Sequence, residues 1–144
     1  MNWVVDTCVF IDVARGDRDF AEASATALDL KREEGLLISP LTYVELSPSF
    51  NGDAELQDEF LLELGVDCEF SGSRSIVLQA HRAWNEHILR KRAGEIVKRP
   101  IADVMIGAYA LAKGGLITRN ESDYKTLYPM LRIFNPMDIR ESVD

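Results

Sequence analysis

The stretch Trp3-Val4-Val5-Asp6-Thr7-Cys8-Val9-Phe10-Ile11-Asp12-Val13-Ala14-Arg15-Gly16-Asp17 decides how the rest of the chain is read. Three apolar residues end in an acid, and a second apolar-rich segment then runs to Ala14 before Arg15-Gly16-Asp17 stops it. This is the pattern of a buried strand followed by a helix. The same alternation repeats downstream. Phe20 to Glu34, rich in Ala and Leu, reads as a helix that stops at Gly35, and Leu36-Leu37-Ile38 as a second buried strand ending at Ser39-Pro40. Helices are expected over Leu41 to Leu46 and Asp53 to Leu64, an edge strand over Asp67 to Phe70, and a long helix over Ser73 to Arg92. The most apolar helix starts at Pro100 and stops at Gly114-Gly115, and Leu116-Ile117-Thr118 and Arg132-Ile133-Phe134 supply two more strands. Short apolar strands separated by helices predict an α/β/α sandwich with a mainly parallel central sheet.

With 144 residues, 47% of them hydrophobic and 28% charged, the chain has the size and composition of a single globular domain spanning residues 1 to 144. Two cysteines, Cys8 and Cys68, are too few for a disulfide framework or a structural zinc site. The start of the chain lacks a basic segment followed by an apolar run, so a reduced cytoplasmic setting is expected. The longest apolar-rich stretch, Val104 to Ala112, is far below the ~20 residues that span a bilayer.

A net charge of −8 argues against a protein that simply coats a duplex. The average hides an asymmetry, because residues 1 to 70 carry sixteen acids against four bases while residues 71 to 144 carry eight acids against twelve bases. Between Arg74 and Arg99 lie seven bases and only two acids, Glu86 and Glu95. A local basic face of this kind attracts phosphates even on an acidic protein. Arg90, Lys91 and Arg92 on the long helix, with Lys98 and Arg99 just beyond it, are the expected contacts to a polyanion.

Ligands of open α/β sheets bind outside the carboxyl ends of the strands. Four acids fall there: Asp6 after the first strand, Glu45 in the helix after the second, Asp103 in the first turn of the Pro100 helix, and Asp123 after the strand ending at Thr118. Asp6 closes Trp-Val-Val, Glu45 sits in Tyr-Val-Glu-Leu, and Asp103 is the only charge between Arg99 and Lys113. A buried lone carboxylate is costly unless it is paired or bound to a metal. Each acid also has an ordinary structural explanation. Asp6 can cap its helix, Asp103 can answer the helix dipole, Glu45 can rotate into solvent, and Asp123 can cap the turn Asn120-Glu121-Ser122. Gly107 and Ala110, on the same face as Asp103, are small enough to let another backbone approach.

An oxygen-only ligand set favours hard cations such as Mg²⁺ or Mn²⁺. His81 and His87, six residues apart, do not share a helix face as zinc ligands would, and Cys8 and Cys68 are expected as buried packing residues. Phosphate-loop, dinucleotide-binding and nucleophile-elbow motifs are missing from the sequence. An aspartyl phosphoryl-transfer site would need a second Asp two residues after Asp6, where Cys8 stands. Water activated by a bound metal is the chemistry that remains.

Four segments in this order, Val-Val-Asp6-Thr7-Cys8-Val-Phe-Ile-Asp12, Ser-Pro-Leu-Thr42-Tyr-Val-Glu45-Leu, Ile-Ala-Asp103-Val-Met-Ile-Gly107-Ala and Leu-Ile-Thr118-Arg-Asn120-Glu-Ser-Asp123-Tyr, cover essentially the whole chain. Together they resemble the PIN-domain proteins, and among them the VapC-type toxins of prokaryotic toxin–antitoxin pairs. The resemblance implies a metal-dependent ribonuclease in which Asp6, Glu45 and Asp103 bind Mg²⁺ or Mn²⁺, with Asp123 as a fourth acid. It also implies a homodimer and a small antitoxin whose tail occupies the acidic groove. The family commonly has Asn or Ser where this chain has Cys8, and some members carry the last acid at the position of Asn120. Thr7, Thr118 and Asn120 are placed to orient metal-bound water or the carboxylates, or else to cap turns. The alternatives are a PIN-like module that docks RNA or a partner protein without cleaving it, and a nuclease of the same fold that acts on DNA.

Overall fold

The structure, a computed structural model, describes residues 2–68, 74–94 and 101–139. Its centre is a sheet of five short strands, β1 (Trp3–Val5), β2 (Leu36–Leu37), β3 (Val66–Asp67), β4 (Leu116–Ile117) and β5 (Ile133–Phe134). They lie in the order β3-β2-β1-β4-β5, and every pairing is parallel. Among the described residues seven α-helices connect them: α1 (Thr7–Arg15), α2 (Ala21–Lys31), α3 (Pro40–Glu45), α4 (Ala54–Glu63), α5 (Arg74–Arg92), α6 (Ile101–Lys113) and α7 (Glu121–Leu127). No described helix is long and apolar enough to cross a membrane.

Strand side chains alternate between two faces, and each face is covered. Val4, Leu37 and Leu116 pack with Val104 and Ala108 of α6, Ala83 of α5 and Tyr124 of α7. Trp3, Val5, Leu36, Ile38 and Ile117 pack on the opposite side with Val9 and Phe10 of α1, Leu28 of α2 and Leu61 of α4. The result is the expected α/β/α sandwich. Its two apolar layers are why the central strands carry almost no polar residue until their carboxyl ends.

Most expected elements occur where the punctuation places them, with three adjustments. The helix expected over Phe20 to Glu34 is regular only to Lys31, and Arg32–Glu34 tightens into a 3₁₀ turn. The third helix starts one residue early because Ser39 caps it, accepting the Thr42 amide at 3.1 Å, and Pro40 fills the first turn where no amide is needed. The edge strand lies at Val66–Asp67 instead of Asp67 to Phe70. Gly65, with φ of +78°, turns the chain out of α4 so sharply that pairing with β2 begins at once. Cys68 therefore falls just past the strand, half-buried, and residues 69 and 70 lie outside the described ones.

Candidate active site at the carboxyl end of the sheet

From β1 the chain steps outward through β2 to β3 and then returns to pair β4 on the other side of β1. The strand order thus reverses between β1 and β4, and a crevice opens outside their carboxyl ends. Asp6 ends β1 and Thr118 ends β4, so the two residues face each other across the reversal.

Asp6 is buried, 4% exposed, and its carboxylate accepts from four donors. Oδ1 takes the Thr7 amide at 2.8 Å and the Tyr124 hydroxyl at 3.1 Å. Oδ2 takes the Thr118 hydroxyl at 2.7 Å and, more weakly, the Cys8 thiol at 3.6 Å. The residue caps α1 as well as carrying a charge into the crevice, so the two readings of Asp6 are not exclusive. Burial raises its pKa above the ordinary carboxylate value, and the donors only partly offset that desolvation.

Glu45 reaches this carboxylate through a single intermediary. Thr7, at the start of α1, lies with its hydroxyl 2.9 Å from Glu45 Oε1 and 3.0 Å from the Thr42 hydroxyl, while its amide binds Asp6. Glu45 ends α3 and is exposed, which corrects the expectation that its apolar neighbours bury it. A six-residue helix turns it outward while Thr42 and Leu46 face in. Asp103 is half-buried in the first turn of α6. Burial drives the Tyr124 phenol far up in pKa, and the charges of Asp6 and Asp103 add to it. Tyr124 thus remains a hydrogen-bond donor to Asp6.

Asp123 occupies the first turn of α7, half-buried and one residue before Tyr124. Successive helical residues diverge by roughly 100°, so Asp123 does not share the direction Tyr124 takes toward Asp6. The N-cap position belongs to Asn120, whose side chain makes no capping bond. The Asn120 backbone amide instead donates to Thr118 Oγ1 at 3.0 Å. With one lone pair so occupied, the Thr118 hydroxyl proton points at Asp6.

Close approach on the Asp103 face of α6 comes from rings, not from another backbone. A Cβ on Gly107 would sit 2.5 Å from Tyr128 Cε2 and 3.3 Å from Tyr124 Cδ1. The glycine therefore lets Tyr124 lie flat enough to reach Asp6. Cys8 is not mere packing either. Its sulfur meets Asp6, and burial with the adjacent Asp6 charge pushes the thiol up to about 12, so it is a neutral donor.

Arg90, Lys91 and Arg92 form the exposed last turn of α5. Arg90 also reaches the Thr126 carbonyl at 3.5 Å, linking α5 to α7. Lys98 and Arg99 lie outside the described residues, as does Pro100.

Whether these residues suit a divalent cation can be judged from their donors. The set is carboxylate oxygen, the chemistry of Mg²⁺ and Mn²⁺. As placed, no three His, Cys, Asp or Glu side chains among the described residues converge closely enough to hold an ion. Asp6, fixed by its four donors, with Glu45 and Asp103, would hold such an ion. The fit is one of donor type and position at the crevice.

Three participants escaped the sequence reading. Asp12 is buried and Arg119 grips it with both forks. Asp12 is a lone charge in the apolar run of α1, the same signal that singled out Glu45 and Asp103. Tyr124 had no such signal, since a tyrosine in a polar segment reads as surface.

An all-parallel three-layer sandwich with carboxylates at its switch point defines the class. The PIN domain family model matches residues 3–126, and the chain belongs to this family. Among solved structures, the fold is similar to VapBC2 from Rickettsia felis bound to a DNA fragment from their promoter (TM-score 0.68, 17% identity, 94% of this chain and 98% of that one). It is similar also to VapBC-1 from nontypeable Haemophilus influenzae (TM-score 0.67, 20% identity, 95% and 99%) and to FitAcB from Neisseria gonorrhoeae (TM-score 0.66, 19% identity, 95% and 99%). No curated protein matches the chain.

Proposed function

We propose that the chain is a cytoplasmic Mg²⁺- or Mn²⁺-dependent ribonuclease, the toxin of a toxin–antitoxin pair, working as a homodimer restrained by a small antitoxin protein. The observation that carries the reading is Asp6, a desolvated carboxylate held by four donors at the switch point, with Glu45 one side chain away through Thr7. A fold seldom keeps a buried acid at a strand end for stability alone, because desolvating it is unfavourable. Membership of the PIN family and similarity to structures described as VapBC and as a toxin-antitoxin complex support the nuclease and the partner.

In this reading Asp6, Glu45 and Asp103 hold the ion, and Asp123 stands by as a fourth acid. A bound divalent cation lowers the pKa of water and neutralises charge that develops on the scissile phosphate. Thr7 and Thr118 keep the Asp6 carboxylate in one orientation, and Tyr124 stays protonated to do the same. The exposed basic turn at Arg90, Lys91 and Arg92 draws the RNA backbone toward an otherwise acidic protein. Purified protein should cleave RNA with Mg²⁺ or Mn²⁺ and stop in EDTA. Cleavage undiminished by chelator overturns the metal reading, and RNA binding without cleavage in either metal favours a docking module.

A further inference from the structure

Arg119 is the residue immediately after Thr118, and its guanidinium is anchored on Asp12. Nε lies 2.7 Å from Asp12 Oδ2 and Nη2 lies 3.0 Å from Asp12 Oδ1. The Ser24 hydroxyl adds a third bond to Asp12 Oδ2 at 2.9 Å, and the guanidinium stacks 3.9 Å from the centre of the Phe20 ring. Asp12 is 4% exposed in its side chain and Arg119 22%. The pair therefore ties α1, the entry to α2 and the exit of β4 into one cluster.

A two-pronged arginine–carboxylate bond fixes direction as well as distance, which a lysine cannot do. Here it holds the backbone of residues 118–120. That backbone presents the Thr118 hydroxyl to Asp6 and the Asn120 amide to Thr118. The Arg119 backbone amide also meets the Cys8 sulfur, which lies 3.6 Å from Asp6 Oδ2 and 3.9 Å from Thr118 Oγ1. Two of the donors on Asp6, the Thr118 hydroxyl and the Cys8 thiol, thus depend on where Arg119 sits.

We propose that Asp12 and Arg119 are positioning residues for the reaction, a half-buried ion pair that locks the Thr118–Asn120 turn so that Asp6 keeps one orientation. The proposal rests on Asp6 being the working carboxylate, but its test does not need catalysis. Cys8 lies under the turn and reports on it, while Cys68 beside β3 serves as the internal reference. Alkylation of both thiols by N-ethylmaleimide, followed by peptide mass spectrometry, is measured in the wild type, Asp12→Asn, Arg119→Lys and Ser24→Ala.

In Arg119→Lys, which keeps the charge and loses the fork, Cys8 should react about tenfold faster relative to Cys68 with the circular dichroism unchanged. Asp12→Asn should act in the same direction. Ser24→Ala, which leaves the fork intact, should change the ratio less than about twofold. A Cys8 to Cys68 ratio unchanged in Arg119→Lys overturns the proposal, and so does equal acceleration of both thiols in both ion-pair variants, since that is general loosening. RNA cleavage by the same samples separates the two questions. A raised ratio in a protein that never cleaves RNA keeps the lock and discards the ribonuclease.

Discussion

The hydroxyl of Tyr124 lies 3.1 Å from Oδ1 of Asp6, a residue 118 positions earlier in the chain. One α7 side chain thus reaches the end of β1. Hydrogen bonds to charged groups contribute about 1.5–3 kcal/mol. Tyr124→Phe should therefore lower the melting temperature by roughly 5–10 °C. It should also reduce RNA cleavage about tenfold, because Asp6 loses one of the donors that orient it. Tyr128→Phe is the control, since that hydroxyl binds the Val104 carbonyl at 2.7 Å and not a carboxylate. It should cost less stability and spare cleavage per folded molecule; equal losses of cleavage in both variants would reduce Tyr124 to a packing residue.

Gly107 sets the stage for that tyrosine. Alanine in its place gains about 1 kcal/mol of helix propensity. Its Cβ would meet Tyr128 at 2.5 Å and Tyr124 at 3.3 Å, and overpacking of this kind costs about 1–3 kcal/mol. The second effect wins, so Gly107→Ala should melt below the wild type and cleave more slowly. Thermal denaturation decides it, and a stabilised variant would show that the rings yield freely.

Burial raises the pKa of Asp6 in the folded protein above its unfolded value. Between those two values the folded state binds the proton and the unfolded state does not, so stability falls as pH rises through that window. Above the window the ionised, desolvated carboxylate weakens the fold. In EDTA at neutral pH, Asp6→Asn should accordingly be as stable as the wild type or more so. That advantage should shrink as pH is lowered toward the ordinary carboxylate range. Melts at several pH values test it, and a variant less stable at every pH would mean that the four hydrogen bonds outweigh desolvation.

How an acidic protein holds a polyanion can be read from salt dependence. Each phosphate contact on a single strand adds about 0.7 to the slope of log affinity against log salt. Changing Arg90, Lys91 and Arg92 together to Gln should weaken RNA binding and flatten the slope by about one unit or more if two of them touch phosphate. Titrations in Ca²⁺, which limits cutting, would reveal it. An unchanged slope would move the phosphate path elsewhere on the surface.

The fold was legible because the strands are buried on both faces and end abruptly in polar residues. Trp3-Val4-Val5-Asp6 and Leu116-Ile117-Thr118 carry their carboxyl ends in the pattern itself. Asp6 and Asp103 stood out for a related reason, as charges where apolar residues surround them. Glu45 stood out falsely as a buried acid, since a helix of one and a half turns leaves the rotation about its axis open. Tyr124, Arg119 and Cys8 could not be found this way. Their role depends on contacts more than a hundred residues apart for Tyr124 and Arg119, and on which side of a half-buried helix the thiol points for Cys8. Asp12 carried the same lone-charge signal as Asp103, but its partner lies across the sheet, and no spacing within α1 announces it.

The central claim is that carboxylates at the switch point perform metal-dependent RNA cleavage. The most direct measurement is the single-turnover cleavage rate of one RNA in saturating Mg²⁺ for the wild type, Asp6→Asn and Asp103→Asn, with melting temperatures on the same samples. Asparagine keeps the shape and much of the capping ability and removes only the charge. The account predicts folded variants whose rates fall by about a hundredfold or more. Folded Asp6→Asn or Asp103→Asn protein that cleaves RNA at the wild-type rate would contradict it.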